Sequence, residues 1–177
     1  NYKILREIAQ GMDIKLYLGT EYHVNSDIVE NFRNHRCHTL ADTKYILTEY
    51  SHDTEFSYIR KMTQEVIANG FIPIIVHVER YGCLTEDIEL VSQLREMGAL
   101  IQNNADAVLG LEGRRTKKFC KKLLKNKLTD VIASSSHGIK NRVCNMQQCY
   151  EYVAKKYTED YADRLFADNP WQIINNT

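Results

Sequence analysis

The sequence predicts an α/β fold with parallel strands, and two observations carry that expectation. Short apolar runs rich in β-branched and aromatic residues alternate with longer helical stretches. The runs are apolar enough on both alternating faces to be strands covered from two sides. Five qualify, at residues 15–18, 45–48, 72–76, 99–101 and 131–133. With 177 residues, 44% of them hydrophobic, the chain can bury a sizeable core without disulfides, and we expect one domain over 1–177.

Each helical stretch between the runs has its own end signals. The first follows Ser26 and continues to Asn34; the second spans 57–69 and is stopped by Gly70. A third is expected over 85–97, with Thr85 as N-cap, Glu86 and Asp87 in the first turn where negative charge suits the helix dipole, and Gly98 as the stop. A fourth covers 116–126. After the last strand the pattern is helical only, over 145–157 and 158–166, and Asn169 with Pro170 then starts a short final helix. No repeat or low-complexity linker interrupts this order.

Composition narrows the function. The 23 basic side chains balance 23 acidic ones, whereas a general nucleic-acid binder carries a basic excess to neutralise phosphates. No apolar run approaches the roughly 20 residues that cross a bilayer, so no membrane insertion is expected. The five cysteines include no CxxC pair, which suits a reduced, cytoplasmic protein with its thiols as small buried apolar groups. A cysteine-dependent phosphatase needs an arginine six positions after its cysteine; here those positions hold Thr43, Glu89, Asn126, Tyr150 and Lys155. There is no P-loop, no GxGxxG and no Gly-x-Ser-x-Gly elbow. The chain opens at Asn1 without a methionine or signal peptide, and we expect a fragment of a longer protein.

The residues at the carboxyl ends of the runs are the informative ones. Glu21 follows the first run, Glu49 closes the second, His77 closes the third, and His137 follows the fifth across three serines. Carboxyl ends of parallel strands form one face, so these four should converge. Two carboxylates and two imidazoles suit a divalent metal such as manganese, iron or zinc.

Around these positions the sequence resembles the metal-dependent bacterial tyrosine phosphatases of the polymerase and histidinol phosphatase family, which accompany capsule and exopolysaccharide genes. The resemblance runs through residues 19–22, 39–49, 70–81, 98–104 and 132–137, with Asp168-Asn169-Pro170 near the end, and His77-Val78-Glu79-Arg80-Tyr81 is its most specific segment. It implies a distorted TIM-like barrel with parallel strands, of which this chain would be a part lacking the first strands, with an open edge left behind. It further implies Glu21, Glu49, His77 and His137 as metal ligands and Arg80 and Arg142 as holders of the substrate phosphate, since a forked guanidinium matches two phosphate oxygens.

Two departures bear on activity. The family's opening His-x-His pair and a further histidine are absent, and Ser135 stands where the family has an aspartate, a weaker ligand for a hard cation. The implied function is hydrolysis of phosphotyrosine in a protein, in particular the tail of a bacterial tyrosine kinase that controls polysaccharide synthesis, with manganese as the expected ion and a homo-oligomer allowed. The alternatives are a degenerate module that binds phosphotyrosine without cleaving it, and a phosphatase of a small ester such as histidinol phosphate. The basic stretch Arg114, Arg115, Lys117, Lys118, Lys121, Lys122, Lys125 and Lys127 reads first as a solvated helix face over buried Phe119, Leu123 and Leu124, and second as a docking surface for an acidic, phosphotyrosine-rich tail.

Overall fold

The computed structural model describes residues 2–34 and 36–176. A first helix, α1 (Tyr2–Ala9), precedes strand β1 (Glu21–His23). Then follow α2 (Ser26–Arg33), β2 (Tyr45–Glu49), α3 (Phe56–Ala68), β3 (Ile72–Ile75), α4 (Gly82–Glu86), α5 (Glu89–Glu96) and β4 (Leu100–Asn104). The remainder comprises α6 (Ala105–Leu109), α7 (Arg114–Lys125), β5 (Val131–Ala133), α8 (Met146–Lys156), α9 (Glu159–Asp163), a π-helical stretch Arg164–Asp168, and α10 (Asn169–Asn175). All strand pairs are parallel and the spatial order is β1-β2-β3-β4-β5. Parallel neighbours require crossovers, which these helices supply. Among the described residues the sheet stays open, with β1 and β5 each paired on one side, and does not close into a barrel.

One face of the sheet packs against α3, α5 and α7, with Ile59, Met62, Leu94, Ile101 and Leu123 at the centre. A second cluster joins α6 and α7 to α8 and α9 through Val108, Leu124, Ile132, Val153 and Leu165. The opposite face is covered by α10, whose Ile173 meets Tyr45 and Ile74. Beside that contact lies a cavity of about 320 Å³, lined by Leu47, Ile74, Val131 and Ile173 and reaching Glu21 and Gln102. All five cysteines are free thiols: Cys120 and Cys149 are buried as expected, while Cys144 is exposed.

Three expectations change. Residues 15–18 are not a strand: Leu16, Tyr17 and Leu18 are 38%, 45% and 44% exposed, and pairing begins only at Glu21, opposite Leu47. An apolar run is not a strand until a neighbour offers hydrogen bonds, and β2 offers them only from Glu21 onward. Thr85 is not an N-cap but lies inside α4, its hydroxyl donating to the Gly82 carbonyl at 2.9 Å; the expected single helix is broken at extended Asp87, whose carboxylate accepts from Glu89 N–H at 3.0 Å and starts α5. Strand β4 runs on past Ile101 through Gln102, Asn103 and Asn104, all buried.

One tether outside the site holds β5 to the rest. Asp130, 8% exposed, accepts from Arg95 at 3.0 and 2.8 Å and from Ile101 N–H at 2.9 Å. Asp130→Ala orphans the Ile101 N–H and strands the half-buried guanidinium, and should lower the unfolding free energy by about 2–3 kcal/mol. Urea denaturation at unchanged m-value measures it.

Candidate metal centre

Three strands deliver three side chains to one point. Glu49 is the last residue of β2, His77 stands two residues beyond β3, and Glu21 opens β1. His77 Nε2 lies 3.3 Å from Glu21 Oε1 and 3.4 Å from Glu49 Oε1. One ligand atom from each lies within 4.8 Å of the others, the one such group of histidine, cysteine and acidic side chains among the described residues. Glu21 reaches this point from the start of its strand rather than from beyond its end.

The residues fit a bound cation. His77 is 3% exposed and its Nδ1 has no hydrogen-bond partner. With the proton on Nε2, the ring can serve one carboxylate and leaves Nδ1 unsatisfied; with the proton on Nδ1, a lone pair faces two carboxylates. Burial and then the nearby Arg80 charge hold the imidazole pKa below its ordinary value, so the neutral ring predominates. Neutral imidazole with two carboxylates is a donor set for manganese, iron or zinc, and a divalent ion would satisfy the Nε2 lone pair and both anions together.

Local structure aims His77. Its backbone is left-handed (φ 37°), turning the chain sharply off β3 into the 3-10 turn Val78–Arg80. Its N–H donates to Gln102 Oε1 at 2.6 Å, and Gln102 in turn donates to Asn104 Oδ1. The Tyr81 hydroxyl donates to the Val76 carbonyl at 2.9 Å while its ring lies 6.0 Å from the imidazole. Glu79, 5% exposed, accepts from Asn103 Nδ2 at 2.6 Å and Asn104 N–H at 2.9 Å, which fastens the turn to the end of β4. Burial outweighs those bonds and pushes the Glu79 carboxyl up to about 7.

Arg80 follows on the same turn and faces Glu112 at 3.6 Å, half-buried beside the cluster. His137 and Arg142 are on the exposed loop after β5, where His137 N–H donates to the Arg142 carbonyl; His137 does not belong to the three-residue group. Ser135 donates to Asn104 Oδ1 at 2.6 Å with φ 45°, tying the base of that loop to β4. Sequence reasoning missed the parts played by Glu79, Gln102 and Asn104, which hold His77 and its turn without belonging to the three-residue group. It also missed His23, whose Nδ1 stands 3.8 Å from Glu49 Oε2. The signal for Glu79 was present, a carboxylate inside the motif after an apolar strand.

A family model described as capsular polysaccharide synthesis, CpsB/CapC, matches residues 1–175. The tyrosine-protein phosphatase CpsB of Streptococcus pneumoniae is 33% identical over 181 residues, covering 98% of this chain and 74% of that protein. The tyrosine-protein phosphatase YwqE of Bacillus subtilis is 28% identical over 171 residues, covering 97% and 67%. In structure, the chain superposes with TM-score 0.88 at 25% identity on a chain from the crystal structures of YwqE from Bacillus subtilis and CpsB from Streptococcus pneumoniae, described as unique metal-dependent tyrosine phosphatases; the match covers 98% of this chain and 70% of that one. By the match over residues 1–175 and its 33% identical relative, this chain belongs to the CpsB/CapC family of capsular polysaccharide synthesis proteins.

Proposed function

We propose that this chain hydrolyses phosphotyrosine in proteins with the help of a divalent metal, acting in capsular or extracellular polysaccharide synthesis on the phosphorylated tail of a bacterial tyrosine kinase in the cytoplasm. The observation that carries the reading is the meeting of Glu21, Glu49 and His77 beside Arg80 in a chain whose relatives are named tyrosine-protein phosphatases.

Glu21, Glu49 and His77 would hold the ion, with His137 on the loop after β5 as a further ligand, and manganese is the ion we favour. When bound, such an ion acidifies water and offsets negative charge on the phosphoryl oxygens. Arg80 binds two of those oxygens with its fork and exchanges its carboxylate partner Glu112 for the stronger phosphate anion. Arg142 is proposed as the second guanidinium, brought in by its loop. Tyr81 and Gln102 keep the imidazole oriented throughout. The leaving phenolate, with a pKa near 10, departs more readily than an alkoxide and needs little acid assistance.

The deciding assay is turnover of a phosphotyrosine peptide with manganese and with chelator. Activity should vanish in chelator and return with manganese; persistence in chelator overturns the metal reading, and equal or faster turnover of histidinol phosphate overturns the protein substrate. Arg80→Ala should raise the dissociation constant for the phosphopeptide by about 10–150-fold, the equivalent of 1.5–3 kcal/mol for a hydrogen bond to a charged group. Arg80→Lys should recover only part of that, since an ammonium is a point charge.

A further inference from the structure

The 14 residues 114–127 contain eight basic side chains and no acidic one, in a chain whose net charge is zero. Helix α7 buries Phe119, Cys120, Leu123 and Leu124 and turns the charges outward. Lys117 is engaged, donating to the Leu109 carbonyl at 2.6 Å and lying 5.4 Å over the Tyr152 ring. The other seven, Arg114, Arg115, Lys118, Lys121, Lys122, Lys125 and Lys127, are exposed, and none forms an ion pair among the described residues.

A solvated face does not require this arrangement. Arg114–Lys118, Lys117–Lys121, Lys118–Lys122 and Lys121–Lys125 are like charges at i,i+4, each of which weakens the helix, and acids at alternate positions would have strengthened it. Arg114 and Arg115 also occupy the first turn, where the helix dipole disfavours cations and no acid compensates. The helix keeps a one-signed field at a cost to its own stability.

That field begins beside the turn that carries Arg80. Glu112, two residues before α7, pairs with Arg80, and Arg115 and Thr116 line a cleft of about 280 Å³ together with Glu79, Gly82 and Glu86. From there the helix runs about 18 Å to a second cleft, of about 460 Å³, where Lys125, Lys127 and Arg164 outnumber a single acid, Asp160, beside Tyr157. An extended peptide of about five or six residues covers the same length. The exposed residues of α7 itself include no aromatic side chain to stack a base and no apolar one to enter a bilayer.

We propose that the basic face of α7 docks an acidic segment of the protein substrate flanking the phosphotyrosine. The proposal rests on the phosphatase reading above, and charge complementarity selects the occupant.

The test compares the full chain with Lys118→Glu/Lys122→Glu, two residues outside the centre, on three probes: a phosphotyrosine peptide flanked by aspartates and glutamates, the same peptide with neutral flanks, and p-nitrophenyl phosphate. KM for the acidic peptide should rise about tenfold, with kcat and both other substrates unchanged, and the wild-type KM for that peptide should rise with salt more steeply than that for the neutral-flanked one. Lys118→Gln/Lys122→Gln serves if the charge reversal fails to fold, with a smaller shift in the same direction. An unmoved KM, or an equal shift for the neutral peptide, overturns the proposal. So does a variant that keeps its peptide KM but loses retention on phosphatidylglycerol vesicles or on a single-stranded oligonucleotide. If the wild-type chain turns over no aryl phosphate, the phosphatase reading fails separately, and docking is read from fluorescence anisotropy of the acidic peptide alone, whose affinity must still fall about tenfold in the variant for the proposal to stand.

Discussion

Replacing His77 with Ala or Glu49 with Gln is expected to lower the affinity for manganese by at least about 100-fold and to remove metal-dependent turnover with it. Groups that merely orient a ligand are worth about 10–100-fold in affinity or activity, and these two residues belong to the group that could hold the ion itself. The sign of the accompanying stability change separates a ligand from a packing residue. Without a cation, two carboxylates crowd each other at His77 Nε2, so Glu49→Gln relieves repulsion and should leave the melting temperature in chelator unchanged or raised. With manganese the wild-type chain should gain about 2.7 kcal/mol at a metal concentration 100 times the dissociation constant, and the variant should gain almost nothing. Equilibrium dialysis and thermal melts with and without chelator read both halves. A variant that binds manganese as tightly as the wild type would remove that residue from the centre.

What the sequence made legible follows from where its information is local. Strands β2, β3 and β5 are short apolar runs bounded by turn residues, and Gly70 and Gly98 (φ 86° and 103°) mark the chain's exits from α3 and α5 because only a residue without Cβ takes that conformation freely. The strand-end rule then brought Glu49 and His77 to one point, as the structure has them. It named Glu21 for a reason the structure does not share, since residues 15–18 form no strand. The polar half of β4 was not legible. Gln102, Asn103 and Asn104 look like a loop until their partners are known, and those partners are His77 N–H, Thr129, Glu79 and Ser135, up to 31 positions away. The same holds for His137 and Arg142: the residues could be named, but no periodicity or cap fixes the exposed loop that carries them. The shell that orients a site is written in long-range hydrogen bonds, which no local pattern encodes.

Glu79→Ala is expected to produce the largest loss of stability of any single substitution near the centre. The carboxylate is 5% exposed and is the acceptor for both Asn103 Nδ2 and Asn104 N–H. Truncation leaves the buried Asn104 N–H without a partner and Asn103 Nδ2 with only the long contact to Cys120 Sγ, each loss costing about 1–3 kcal/mol, and removes buried volume as well. We expect a net loss of about 3–4 kcal/mol, moderated because the wild-type carboxyl is itself disfavoured by burial, as its elevated pKa shows. Glu79→Gln should cost less, about 1–3 kcal/mol, since the amide oxygen can still accept from Asn104 N–H while its NH2 faces Asn103 Nδ2. The two variants also differ at the metal. Glu79 fastens the Val78–Arg80 turn to β4, and that turn sets the direction of both the His77 ring and the Arg80 fork. Glu79→Ala should therefore weaken manganese binding by about 10–100-fold at a temperature where the variant is still folded, whereas Glu79→Gln should stay near wild type. If both variants bind manganese like the wild type while Ala alone is unstable, Glu79 is a packing residue with no part in aiming the site; if both are as stable as the wild type, the hydrogen bonds to Asn103 and Asn104 do not hold the turn.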